Sequence, residues 1–119
     1  MDPEILTLFR LSFLQEEMKR HNVRSIKIDQ TLWVKRKTPG IFFVRERVIG
    51  IDPSSPVDVV LKRLNEEEAW GLGLMENEMW GFILLHELAH SDGLGSEWAC
   101  NNFAKRKIRE YRERKGVRT

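Results

Sequence analysis

Asn77-Glu78-Met79-Trp80-Gly81-Phe82-Ile83-Leu84-Leu85-His86-Glu87-Leu88-Ala89-His90-Ser91 is the most apolar stretch of the chain, and it has the length of a helix rather than a strand. Its unbroken apolar part, about Trp80–Leu85, is far shorter than the ~20 residues that cross a bilayer. The stretch therefore reads as a helix buried in a protein core. Within it stands His86-Glu87-Leu88-Ala89-His90, an H-E-x-x-H pattern. Residues four apart share a helix face, so both imidazoles can reach one ion at the ~2.0–2.1 Å of a zinc–nitrogen bond. Glu87 is rotated from that face and can hold a water beside the ion, acting as general base once the ion has lowered the water's pKa. Two surface histidines with an ordinary salt-bridge partner would be the bland alternative. It conflicts with the apolar flanks, because burying His-Glu-His without partners is costly.

A catalytic zinc needs a third protein ligand and an open position. Downstream, Asp92-Gly93-Leu94-Gly95 turns the chain, and Ser96 is placed to cap a further helix running to about Lys115. Gly93 matches the longer H-E-x-x-H-x-x-G-x-x-H pattern, but Ser96 stands where its last histidine would be, so that class is excluded. Asp92 lies roughly 200° round the helix from His90 and points away while the helix continues. Glu97 has two readings: a ligand aimed back by the tight turn, or an acidic residue complementing a helix N-terminus. The turn favours the ligand.

Upstream, residues 2–20 carry a helical pattern, with Asp2 as cap, Pro3 at the first position, and Ile5, Leu8, Phe9, Leu11, Phe13, Leu14 and Met18 at mostly three- and four-residue steps. Four β-like runs follow: Ser25–Asp29, Leu32–Lys35, Ile41–Arg45 and Arg47–Asp52, with turn chemistry at Thr38-Pro39-Gly40. Pro53-Ser54-Ser55-Pro56 opens a helix to about Ala69, and Gly71-Leu72-Gly73 breaks it. The expected fold class is α+β. A short, three- to four-stranded, mostly antiparallel sheet is joined by about four helices, including an active-site helix and a C-terminal backing helix.

The 119 residues suit one domain, 1–119, and a balance of 41% hydrophobic to 32% charged residues excludes a disordered or fibrous chain. One cysteine, Cys100, cannot form an internal disulfide, and Met1-Asp2-Pro3-Glu4 does not read as a signal peptide, so a cytoplasmic location without membrane contact is expected. The net charge of +2 is uneven, because eight Lys/Arg and two Glu crowd into residues 105–119. This basic tail reads as a solvated helix end. A competing reading has its last residues crossing an acidic cleft as a latency device, and self-association through the tail stays open. Nucleic-acid binding is disfavoured because the tail has no interleaved aromatics. Of the four tryptophans, Trp33, Trp70 and Trp80 read as packing residues and Trp98 as a cleft-rim residue.

His86-Glu87-x-x-His90 with Glu97-x-x-Cys100-Asn101-x-Phe103-Ala104 resembles the gluzincin metallopeptidases, whose third ligand is a Glu on the helix after the motif. The spacing and preceding sheet also resemble ImmA/IrrE-type domains, and the size resembles the soluble minimal gluzincins of archaea. The resemblance implies a zincin-like fold and a zinc-dependent endopeptidase acting on a peptide or protein substrate. Zinc would be held by His86, His90 and Glu97, with Glu87 as base. It implies that Asn101 supports a ligand histidine. Cys100 stands where the family usually has Ala, which suits packing. It further implies an edge strand that pairs with substrate, for which Arg47–Ile51, and within it Val48, Ile49 and Gly50, is the candidate. The family's oxyanion donor is often Tyr, His or Arg, and Tyr111 and His21 are the candidates weighed. The alternatives are a non-catalytic, zinc-stabilised binding module and a DNA-associated regulator. So short a chain leads us to expect a shallow cleft.

Overall fold

The computed structural model describes residues 11–93 and 95–116. In chain order they form helix α1 (Leu11–Arg20), strand β1 (Ser25–Ile28), the short helix α2 (Leu32–Arg36) and strands β2 (Gly40–Phe43) and β3 (Val48–Ile51). Helices α3 (Val57–Arg63), α4 (Met79–Ser91) and α5 (Glu97–Gly116) follow, giving a three-stranded sheet and five helices in an α+β arrangement. The helix expected over 2–20 is seen from Leu11, and its start at Asp2–Glu4 lies outside the described residues.

Helix α4 is the centre of the core. Met79 to His86, Leu88, Ala89 and Ser91 are all buried, as a helix that is apolar on every side requires. Ile49 and Ile51 of β3 reach it from the sheet, Val60 from α3 and Leu64 from the turn that follows α3. Helix α5 backs it with Cys100, Ala104, Ile108 and Tyr111, buried at successive turns. Gly40 permits the close approach of β2 to α4, since a Cβ there would stand 2.8 Å from the Ile83 side chain. Trp80 is buried and Trp33 packs against the core, whereas Trp70 is exposed.

Three expectations are corrected. The sheet is mixed rather than mostly antiparallel: β1 pairs with β3 in parallel and β2 pairs with β3 antiparallel. The long stretch between Ile28 and Val48 is the kind of connection that a parallel pair needs. The run Leu32–Lys35 is not a strand but helix α2. Its first turn is held by carboxylates: Asp29 accepts from the Thr31 N–H and hydroxyl, and Asp52 Oδ2 accepts from the Trp33 N–H at 3.0 Å. That satisfies donors a helix start leaves open. The third correction concerns Val48, Ile49 and Gly50. They belong to the central strand, with β1 on one side and β2 on the other, so neither edge is free for a peptide. Among the described residues the outer edges belong to β1 and β2, and β2 is the one that lines the cleft at His86.

The helix expected to run to Ala69 changes character after Arg63. Leu64–Glu68 form one π-helical turn, closed by the Ala69 N–H on the Leu64 carbonyl. Such turns insert a residue into a helix and redirect the side chains that follow. No described helix is long and apolar enough to cross a membrane.

Candidate metal centre

His86 and His90 stand on successive turns of α4, with their Nε2 atoms 3.2 Å apart and their rings edge-to-face. The chain then leaves α4 through Asp92 and Gly93, the latter at φ +81°, a conformation that favours glycine. Ser96 caps α5 as expected, its Oγ accepting from the Ala99 N–H. That cap fixes Glu97 as the first residue of α5. Its Oε2 lies 2.9 Å from His86 Nε2 and its Oε1 lies 3.0 Å from His90 Nε2.

The three residues thus form a group able to hold a metal ion. Three ligands at ~2.0 Å in tetrahedral array stand about 3.3 Å apart, close to the 2.9–3.2 Å separations here. Two imidazoles and a carboxylate, with one face open, match the donor set of a three-ligand site. His86 is nearly buried and Glu97 mostly exposed, so the group sits at the surface end of the helix pair.

Glu87 lies beside this triangle. Burial, and then the charges of Glu97 and Glu68, push its carboxyl up to about 8, although the Phe42 N–H of β2 donates to it. Glu68, delivered by the π-helical turn, lines the same cleft. Its carboxyl is raised by burial, with His86 and Arg63 pulling the other way. Arg36 and Arg63 also line the cleft. None of these three was singled out from the sequence. They come from α2, α3 and the turn after α3, and no spacing in the sequence links them to the H-E-x-x-H motif.

Cys100 meets the site from behind, with Sγ 3.5 Å from His90 Nδ1. Burial, then the charges of Glu97 and Glu87, push the thiol up to about 11, so it stays protonated at neutral pH. The sequence reading of Cys100 as a packing residue is therefore extended by a contact on a ligand histidine. Asn101 Oδ1 and His86 Nδ1 are each buried with no hydrogen-bond partner among the described residues. The outer partner seen on a ligand is Cys100 rather than Asn101.

Of the oxyanion candidates, Tyr111 is buried among core side chains, and His21 sits against Asp92 Oδ2 at 2.7 Å with Phe103 packed on its ring. Neither lines the cleft. Trp98 is exposed next to Glu97, as a rim residue would be. Part of the basic helix end is paired, Lys107 with Glu17, Arg112 with Glu78, and the exposed Arg114 with Glu16 and Glu110, while Arg106 and Arg109 are exposed. Residues 113–116 continue α5, and 117–119 lie outside the described residues. Comparison with known proteins gives no match to a family model, to a curated protein or to a solved structure.

Proposed function

We propose that the chain is a zinc-dependent peptidase of gluzincin type, with His86, His90 and Glu97 as ligands and Glu87 as the proton carrier. The observation that carries this reading is the ligand triangle with a half-buried carboxylate beside it, in a cleft lined by β2, one of the two edge strands among the described residues. A divalent ion there would supply Lewis acidity to a peptide carbonyl. Glu87 takes a proton at its carboxylate from the attacking water and hands it to the leaving amine. Burial, which raises the Glu87 carboxyl, strengthens it as a proton acceptor. The Phe42 N–H orients it. Substrate backbone pairs with β2, Gly40–Phe43, in place of the Val48–Gly50 segment expected from the sequence.

The test is Glu87→Ala against wild type, with metal content and peptide hydrolysis measured on the same samples. The variant is expected to keep its metal and lose at least ~10²-fold in kcat, a typical contribution of general acid–base catalysis. Wild-type protein that holds metal but cleaves no peptide would make the chain a metal-stabilised binding module instead.

A further inference from the structure

Beyond the ligand triangle the cleft has two unlike arms. At the Val44 end, Ile41, Phe42 and Val44 form an apolar shelf facing Gly93 and Gly95. The other arm runs from His86 past Gly40 to Arg36, Thr38, Arg63 and Glu68, and together with the triangle it encloses about 270 Å³. Two helices end in it, α2 at Arg36 and α3 at Arg63.

Arg63 is held in place before any ligand arrives. One guanidinium nitrogen donates to the Lys37 carbonyl at 3.0 Å, and the guanidinium carbon lies 5.5 Å from the Trp33 ring. That anchoring reduces the rotamer entropy a long side chain loses on binding. Arg36 is exposed, and no ion pair engages it among the described residues. Two arginines against Glu68, Glu87 and Glu97 leave at most one excess negative charge in the cleft. A divalent ion on the triangle turns that into at least one excess positive charge, so the loaded cleft favours an anion.

We propose that Arg36 and Arg63 bind a substrate carboxylate, so that the cleft selects peptides carrying an acidic side chain or a free chain terminus near the bond cleaved. Guanidinium forks match planar carboxylates with paired hydrogen bonds. Arm and triangle together lie just below the roughly 300–1,000 Å³ of small-molecule sites, which suits one carboxylate-bearing residue and the bond beside it. This selectivity rests on the peptidase reading above, and two readouts separate the two.

In the first, zinc-loaded wild type, Arg36→Gln and Arg63→Gln are given fluorogenic peptides with Asp or Glu, against Asn or Gln, on either side of the cut. Each peptide is made with a free and an amidated C-terminus. Wild type is expected to favour the carboxylate-bearing peptides by roughly tenfold or more in kcat/KM, the scale of a charged hydrogen bond, and each variant to lose most of that ratio. A preference confined to internal Asp or Glu assigns the side chain, and one abolished by amidation assigns the terminus. A ratio near one in wild type, or one unchanged in both variants, overturns the proposal.

The second readout is calorimetric binding of the same peptides to zinc-loaded Glu87→Gln, with and without Arg36→Gln. If no peptide is ever cleaved, the peptidase reading fails. Tighter binding of the acidic peptides, lost with Arg36→Gln, would still uphold the carboxylate site, and equal binding of acidic and neutral peptides would overturn it. Arg63→Gln also frees Trp33, so Arg36→Gln, which removes no described hydrogen bond or ion pair, is the deciding variant, with thermal unfolding confirming that both fold.

Discussion

Two imidazole nitrogens 3.2 Å apart, each about 3 Å from one oxygen of the same carboxylate, repel unless protons or a cation lie among them. His86, His90 and Glu97 therefore form a group that could hold a cation, and the outer contacts bear on it. Cys100 is the clearest case, because its sulfur touches the far nitrogen of His90 while its thiol stays protonated. Cys100→Ala is expected to weaken zinc binding by at most about tenfold, the low end of the range for an outer partner. A competition titration with a zinc-sensitive dye measures this. A loss as large as that of Glu97→Ala would instead make the sulfur a ligand. His86, Glu87 and His90 were legible in the sequence because helical spacing alone sets their geometry. Glu97 was legible because a two-glycine turn and a capping serine leave it only one direction to face. Arg36, Arg63 and Glu68 were not, since three separate elements carry them to the cleft.

Among the elements, α2 shows how a distant residue decides a local conformation. Asp52 is fully buried, accepts from the Trp33 N–H at the start of α2, and accepts from both the N–H and the hydroxyl of Ser54. Burial pushes its carboxyl up, but those hydrogen bonds outweigh it and hold the group below its ordinary value. A carboxylate more acidic folded than unfolded adds stability above about pH 4, and that stability is lost as the pH falls through the folded value. Asp52→Asn is expected to cost about 1–2 kcal/mol at pH 7. The deficit should shrink towards pH 3, as urea unfolding at the two pH values would reveal. An equal deficit at both would mean that the charge is irrelevant. Leu32–Lys35 reads as a strand because Trp33 and Val34 have strand propensity, and the cap that reverses this lies some twenty residues away. Strand order was hidden for the same reason: alternation marks Val48–Ile51 as a strand but does not say which neighbours cover its edges. The α4 and α5 boundaries, set by continuous apolar character and by Ser96, were readable directly.

At the scale of the whole molecule, α4 and α5 are joined at both ends, and the metal centre occupies one of them. At the other, Arg112 makes a two-pronged contact with Glu78, 2.7 Å on each oxygen, and donates to the Leu72 and Gly73 carbonyls. Glu78 is nearly buried, so removing its partner strands a carboxylate. Arg112→Ala is expected to destabilise the fold by about 3 kcal/mol, with Arg112→Lys restoring only part because an ammonium lacks the fork. Thermal unfolding of the three proteins decides it, and a fully restored lysine variant would show that charge alone suffices. The account as a whole stands on the ligand triangle holding a metal. Its most direct test is the metal content of the purified chain by mass spectrometry, with zinc titration of wild type and Glu97→Ala. One zinc per wild-type chain is predicted. Affinity in the variant should fall by more than the roughly 10–100-fold typical of losing an outer partner, with unchanged circular dichroism. A wild-type chain that neither carries zinc nor takes it up would contradict the account.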